Sequence, residues 1–171
     1  IRFVCEFTPQ EPAETGLDSV RFLMSANVGE ALKPLSKVAS GGELARIMLA
    51  MKQVLAQQDG VPTLIFDEVD AGVSGRAAQK VALKLWSVSK GRQVLCVTHL
   101  PQIAAMADAE FTVEKRVEHE RTYTSVLHLD GSGRRQELAR LIGGSMITET
   151  TLAGAAELLR LADEAKKGDI T

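Results

Sequence analysis

TLIFDEVDAGVSG, residues 63–75, is the stretch on which the reading of this chain turns. Its opening is a short apolar run of the kind found in a parallel strand covered on both faces. The run ends in two adjacent carboxylates, Asp67 and Glu68, which are costly at the end of a buried strand unless cations or donors use them. Phosphoryl transfer gives such a use: one carboxylate helps hold Mg²⁺ and the next orients or deprotonates an attacking water. Successive strand residues point to opposite faces, so the two can take different jobs. A strand-end pair that merely faces solvent fits the bare pattern equally well. The small-residue continuation through Asp70, Gly72 and Ser74 to Gly75 tilts the balance, because it admits close approach of another backbone.

Upstream lies LSKVASGGELARIMLAMK, residues 35–52. Ser40 has the character of a helix N-cap, and Glu43 three residues later completes a capping box. Gly41 and Gly42 leave the first backbone N–H groups uncovered at the positive end of the helix dipole, where an anion is favoured. A plain cap accounts for the same residues, and the two readings are compatible. Leu44, Ile47, Met48, Met51, Val54 and Leu55 follow at helical spacing, so that stripe is expected to be buried. Downstream, Ser74 can cap a helix over residues 75–89 with a stripe of Ala78, Val81, Leu85 and Val88. A second buried strand follows at residues 93–98, which makes a βαβ unit. His99 ends that strand, where an imidazole can donate to a terminal phosphate; a lone histidine is more often structural.

The remaining chain reads as support. Strands are expected over residues 2–7 and 20–26, with loops at 8–18 and 27–37 rich in proline and glycine. Pro101 starts a short helix to residue 107. Residues 109–119 and 122–129 alternate and form an antiparallel hairpin. Gly131-Ser132-Gly133 reads as a break before a helix over 134–142, closed by Gly143-Gly144. Thr148 or Thr151 opens a last helix carrying Leu152, Ala155, Ala156, Leu159 and Ala162, with a frayed tail from Lys166. Arg134, Arg135 and Arg140 form a basic cluster on what reads as a solvated helix face. With 171 residues, 45% hydrophobic and 25% charged, the chain has the make-up of one ordinary globular domain. A net charge of -2 argues against a strongly basic nucleic-acid module. Cys5 and Cys96 stand apart, which suits a reducing cytoplasm and gives no zinc spacing. No apolar run is long enough to span a membrane. The expected fold is α/β, a mostly parallel sheet with flanking helices and one antiparallel hairpin.

Taken together and in this order, ASGGE before a long helix, LIFDEVD and the strand-end histidine resemble the ABC-type ATPase heads of the SMC-like group. The segments SANVGEALKPLSKVASGGELARIMLAMK, LIFDEVDAGVSGRAAQKVALKL, VLCVTHLPQIAAMAD and RRQELARLIGG resemble the RecN family of bacterial SMC-like DNA repair proteins more closely still. The resemblance implies a P-loop NTPase head whose cofactors are ATP and Mg²⁺. It implies that Asp67 assists Mg²⁺, Glu68 is the general base and His99 contacts the γ-phosphate. Ser40, Gly41, Gly42 and Glu43, the signature motif, are implied to complete the site of a second head in trans, with Asp70, Gly72 and Ser74 of the D-loop crossing that interface. Two departures from the wider ABC pattern are Ala39 in place of leucine and Ser74 where transporters carry aspartate.

No G-x-x-x-x-G-K-[ST] occurs anywhere in the chain, so the loop that cradles phosphates is missing. The resemblance therefore implies a C-terminal head lobe, a fragment whose partners are an N-terminal lobe carrying Walker A, a second head and, through the intact protein, DNA. A bacterial cytoplasmic, nucleoid-associated role in recombinational repair of double-strand breaks follows, and the chain alone is expected to be inactive. A start at Ile1 rather than methionine accords with a fragment. Two alternatives stay open: the head lobe of a chromosome-structuring SMC protein, and an ATPase subunit of an ABC transporter.

Overall fold

The structure is a computed structural model that describes residues 2–25, 29–38, 40–55, 58, 60–118 and 121–168. In chain order its elements are β1 (Arg2–Ala13), β2 (Gly16–Ser25), β3 (Lys33–Pro34), α1 (Leu35–Val38), α2 (Gly41–Val54), β4 (Thr63–Phe66) and α3 (Gly75–Ser89). There follow β5 (Gln93–Cys96), α4 (Pro101–Ala104), β6 (Phe111–Glu118), β7 (Arg121–His128), α5 (Gly131–Gly143) and α6 (Glu149–Gly168). The expected βαβ unit is β4–α3–β5: the two strands pair in parallel from Thr63↔Gln93 to Phe66↔Cys96. A bond from Val97 N–H to the Phe66 carbonyl (3.0 Å) carries the ladder one step further.

One face of this pair is covered. Leu64 and Phe66 sit in a cluster with Ala82, Leu85 and Val88 of α3, Ile103 and Ala104 of α4, Leu138 and Ala139 of α5, and Ala155 and Ala162 of α6. Small residues at these contacts let the helices approach closely, and Leu138 and Ala139 are wholly buried. The other face is open: Ile65 is 72% exposed, Leu95 46% and Val97 65%.

The α/β character stands, but the balance of the sheet differs from the sequence expectation. Among the described strands only β4 and β5 are parallel; β1–β2–β3 and β6–β7 are antiparallel. The loop expected over residues 8–18 is mostly strand, because β1 and β2 stay paired from Arg2↔Ser25 to Ala13↔Gly16, with an irregularity between Pro9 and Ala13. Pro9 and Pro12 lie on β1, the edge of its sheet, where a missing N–H need not cost a ladder bond. The loop expected over residues 27–37 contains β3 and α1.

One helix start also moves, and the last helix opens at Thr148 as expected. Gly131-Ser132-Gly133 is the first turn of α5 rather than a break, because the Asp130 carboxylate accepts from the Gly133 N–H (2.7 Å) and the Ser132 hydroxyl (2.8 Å). Thr148 and Thr151 cap α6 reciprocally, Thr151 N–H to Thr148 Oγ1 and Thr148 N–H to Thr151 Oγ1, and the helix continues through the expected tail to Gly168. The apolar stripe expected to be buried on α2 is only partly so: Ile47 and Met51 are half-buried, and Val54 is 82% exposed. Leu44 and Met48 are each 40% exposed, while Gly42 and Leu49 on the other side are buried. Helices α2 and α3 are in contact, with Gly42 and Leu49 on the buried side of α2. Nor is Arg134 on a solvated face. It pairs with the buried Glu110 (3.3 Å) and donates to the Ala107 carbonyl (2.8 Å), pinning α5 to the segment after α4.

Candidate functional site

Strand β4 stops at Phe66, so Asp67 and Glu68 lie in the turn beyond it and both are exposed. Strand alternation therefore does not separate them; the turn does. Glu68 has φ +55°, the only positive φ at a non-glycine among the described residues. A side chain there is strained by about 1–2 kcal/mol, and two bonds hold it in place. Glu68 N–H donates to Asp67 Oδ1 (2.9 Å), and the Glu68 carbonyl accepts from Ala71 N–H (3.0 Å). Among the described residues no Lys, Arg or His makes an ion pair with either carboxylate.

The start of α2 lies against this turn. Its capping box is complete: Ser40 Oγ accepts from Glu43 N–H (3.4 Å), and Glu43 Oε2 accepts from Ser40 N–H (3.0 Å). That reciprocal pair occupies the Glu43 carboxylate. It leaves the Gly41 and Gly42 N–H groups, which a helix's first turn does not bond internally. Gly42 is required for contact: a Cβ there would come within 2.9 Å of both the Glu68 and Ala71 carbonyl oxygens. A Cβ on Gly41 would overlap the Glu68 carboxylate itself. Arg46, one turn further along α2, reaches the same turn and donates to the carbonyls of Ala71 (2.7 Å) and Val69 (3.3 Å). The signature-like helix start and the carboxylate turn thus form one packed unit. Ala39 lies outside the described residues.

Asp70 is placed differently from the other candidates. It is 3% exposed. Its Oδ2 accepts from the Thr98 hydroxyl (2.6 Å) and the His99 N–H (2.9 Å), and stands 3.0 Å from His99 Nδ1. Burial pushes its carboxyl up, but the Thr98 and His99 hydrogen bonds and the His99 ring outweigh burial and hold it below the usual range. The Thr98 hydroxyl also accepts from Leu100 N–H (3.1 Å), so the end of β5 is knitted onto the turn after β4. The His99 side chain is 72% exposed. Gly72 has φ +72° and, like Ser74, is exposed. Ser74 stands at the N-cap of α3 without a side-chain cap bond, leaving its hydroxyl to other uses. Cys96 is pushed up to about 12 by burial and by the Asp70 and Asp67 charges.

Sequence reasoning missed Arg46 and Thr98. The available signal for Arg46 was a lone cation on the Gly42–Leu49 side of α2; for Thr98 it was a hydroxyl next to the histidine at a strand end.

The donor set fits a nucleotide bound with Mg²⁺. Among the described residues no trio of His, Cys, Asp or Glu could hold a metal by itself. Mg²⁺ commonly takes one or two carboxylates and fills its octahedron with water and phosphate oxygens, a role open to Asp67. Gly41 and Gly42 N–H groups and the exposed His99 ring offer donors to an anion. An open cavity of about 370 Å³ between α2 and β4 has mainly apolar walls, including Leu44, Met48 and Ile65, and reaches Gly41, Lys52 and Asp67 at its polar end. No helix among the described residues is long and apolar enough to cross a membrane.

No protein-family model matches the chain. Individual relatives do. It is 51% identical over 158 residues to the DNA repair protein RecN of Bacillus subtilis, covering 92% of this chain and 27% of that protein. RecN of Treponema pallidum is 49% identical over 160 residues (94% and 28%), and RecN of Deinococcus radiodurans 51% over 149 residues (87% and 26%). The chain thus spans about a quarter of the length of these relatives. Among solved structures, it is similar to a chain from a study of ATP-driven dimerisation and DNA-stimulated activation of SMC ATPases, with TM-score 0.52, 21% identity and 84% of each chain covered. It is also similar to the Smc head domain with coiled coil and joint from Pyrococcus yayanosii, with TM-score 0.55, 22% identity, and 80% of this chain and 25% of that one covered. The fold is that of the SMC ATPase heads, and the chain is similar to about a quarter of the length of RecN DNA repair proteins.

Proposed function

We propose that the chain is the C-terminal lobe of an ABC-type ATPase head in an SMC-like protein of recombinational DNA repair. ATP with Mg²⁺ supplies the γ-phosphoryl group that is transferred to water. Asp67 holds Mg²⁺, directly or through water, and Glu68 takes the proton of the attacking water. His99 donates to the γ-phosphate. Ser40, Gly41, Gly42 and Glu43 close on the nucleotide of a second head, and Gly72 and Ser74 cross the same junction. Asp70 stays inside its own lobe. An N-terminal lobe carrying Walker A supplies the phosphate loop and covers the open face of β4–β5. Head engagement on ATP and release on hydrolysis are then coupled to DNA through the whole protein, in the bacterial cytoplasm at the nucleoid.

The observation that carries this reading is the Glu68 turn. An exposed carboxylate, with no cation partner among the described residues, is held in a left-handed conformation with the α2 glycines packed against it, in a chain 51% identical to a quarter of a RecN protein. Strained residues of this kind concentrate at functional sites. The test is Glu68→Gln in the full-length protein. Hydrolysis falls by about 10²-fold or more, the usual size for a general base, while ATP-dependent dimers persist; wild-type turnover in that variant overturns the assignment. The 171-residue chain alone turns over little or no ATP, and steady hydrolysis by it would contradict the half-site reading.

A further inference from the structure

We infer that Asp70 is a positioning residue that holds His99 with Nδ1 protonated and Nε2 presented outward to a terminal phosphate. The inference rests on the reading of His99 given above and adds to it the residue that sets the ring's tautomer and aim. Three contacts converge on one oxygen. Asp70 Oδ2 takes the Thr98 hydroxyl (2.6 Å) and the His99 backbone N–H (2.9 Å), which fix where residue 99 starts, and lies 3.0 Å from Nδ1, which fixes where its ring points. The Nδ1–Oδ2 approach of 3.0 Å is an ion-pair contact; a carboxylate oxygen only accepts and would repel an Nδ1 lone pair, so the hydrogen belongs on Nδ1. The ring's other nitrogen is then the outward one, on a side chain 72% exposed while the Asp70 side chain is buried.

The chemistry follows from this arrangement. An ionised phosphate oxygen also accepts and does not donate. For Nε2 to hydrogen-bond to it while Nδ1 keeps its hydrogen for Asp70, the ring must hold both protons. His99 then works as an imidazolium between two anions, one buried in its own lobe and one on the ligand, and Asp70 offsets the charge. Asp70 itself never touches the nucleotide. It lies in the turn that also carries Glu68, so the aim of the histidine and the place of the proposed base are set by one piece of backbone.

The experiment uses full-length protein labelled with ¹⁵N at histidine, the His99 signals being identified by their loss in His99→Gln. Without nucleotide, the ring nitrogens are expected to report hydrogen at Nδ1; with ATP held by the Glu68→Gln variant, both nitrogens report hydrogen. Hydrogen at Nε2 alone in the free protein overturns the inference, and this reading needs no variant of Asp70 to fold. In turnover, Asp70→Asn keeps an acceptor but loses the charge, and is expected to lower kcat about tenfold with little change in KM. Adding it to His99→Gln costs nothing further. Losses that multiply in the double variant show that Asp70 acts other than through His99. Wild-type turnover by His99→Gln would instead sink the phosphate reading and this inference with it, even where the Nδ1 tautomer is observed.

Discussion

The two faces of the β4–β5 pair have the same apolar chemistry and different surroundings. Leu64 and Phe66 are 7% and 6% exposed; Ile65 between them is 72% exposed. A strand with apolar residues on both sides is built to be covered twice, and this chain covers it once. The same division runs along α2, where Gly42 and Leu49 are buried while Leu44 and Met48 look outward. Open side of strand and open side of helix share one apolar cavity. The difference separates the apolar surface that these residues cover by themselves from the apolar surface that they leave open.

The largest expected effect is kinetic. Cys96 belongs to the covered face and Cys5 is exposed on β1. With the Cys96 thiol pushed up to about 12 by burial and the neighbouring Asp70 and Asp67 charges, its thiolate fraction near pH 8 is about 10⁻⁴. Iodoacetamide is expected to modify Cys5 first and Cys96 about 10³-fold more slowly, followed by mass spectrometry. Equal rates would mean that the covered face opens readily.

Next in size is a pair of truncations on neighbouring residues. Phe66→Ala empties the packed side and is expected to cost about 3–5 kcal/mol in urea unfolding. Ile65→Ala is expected to cost less than about 0.5 kcal/mol in the 171-residue chain, because its side chain already lies in water. Under the proposed cover by an N-terminal lobe the comparison changes in the full-length protein, where Ile65→Ala is expected to cost about 2–4 kcal/mol. An Ile65 that stays neutral there counts against the proposed cover.

Legibility in the sequence followed the same boundary. The βαβ unit was readable, and α3 matches its expected span; of its expected stripe Ala78, Leu85 and Val88 are buried and Val81 is half-buried, because its cover lies within these residues. The α2 stripe was read with the right periodicity and misplaced in burial, since periodicity shows that a face is apolar and not whether its cover lies within the same residues. The N-terminal prolines suggested a loop because their tolerance on an edge strand depends on topology, which local pattern does not contain. The cap residues Ser40 and Glu43 were legible because a capping box is a local device. Asp70 was legible as a member of the motif and not as a buried acceptor for Thr98 and His99, because those partners lie 28 and 29 residues away.

The smallest expected effect is at the end of β4, where covered and open faces meet, and it asks whether strain is stored there. Glu68 at φ +55° is held by Asp67 Oδ1 and by Ala71 N–H. Glycine adopts that conformation freely, so Glu68→Gly relieves about 1–2 kcal/mol of strain while making the unfolded chain more flexible by about 0.4–1 kcal/mol. The net expectation is a gain of about 0.5–1 kcal/mol, or roughly 1–4 °C in Tm for a chain of this size. Glu68→Gln keeps the same backbone penalty and should leave Tm unchanged, and Glu68→Asn should fall between, since asparagine tolerates the left-handed region better than glutamine. The order Gly above Asn above Gln, with the Gly variant inactive in the full-length protein, would show a carboxylate kept at the seam against local stability. A Glu68→Gly variant less stable than the parent would mean instead that the side chain's contact with Gly41 contributes more than the left-handed backbone costs.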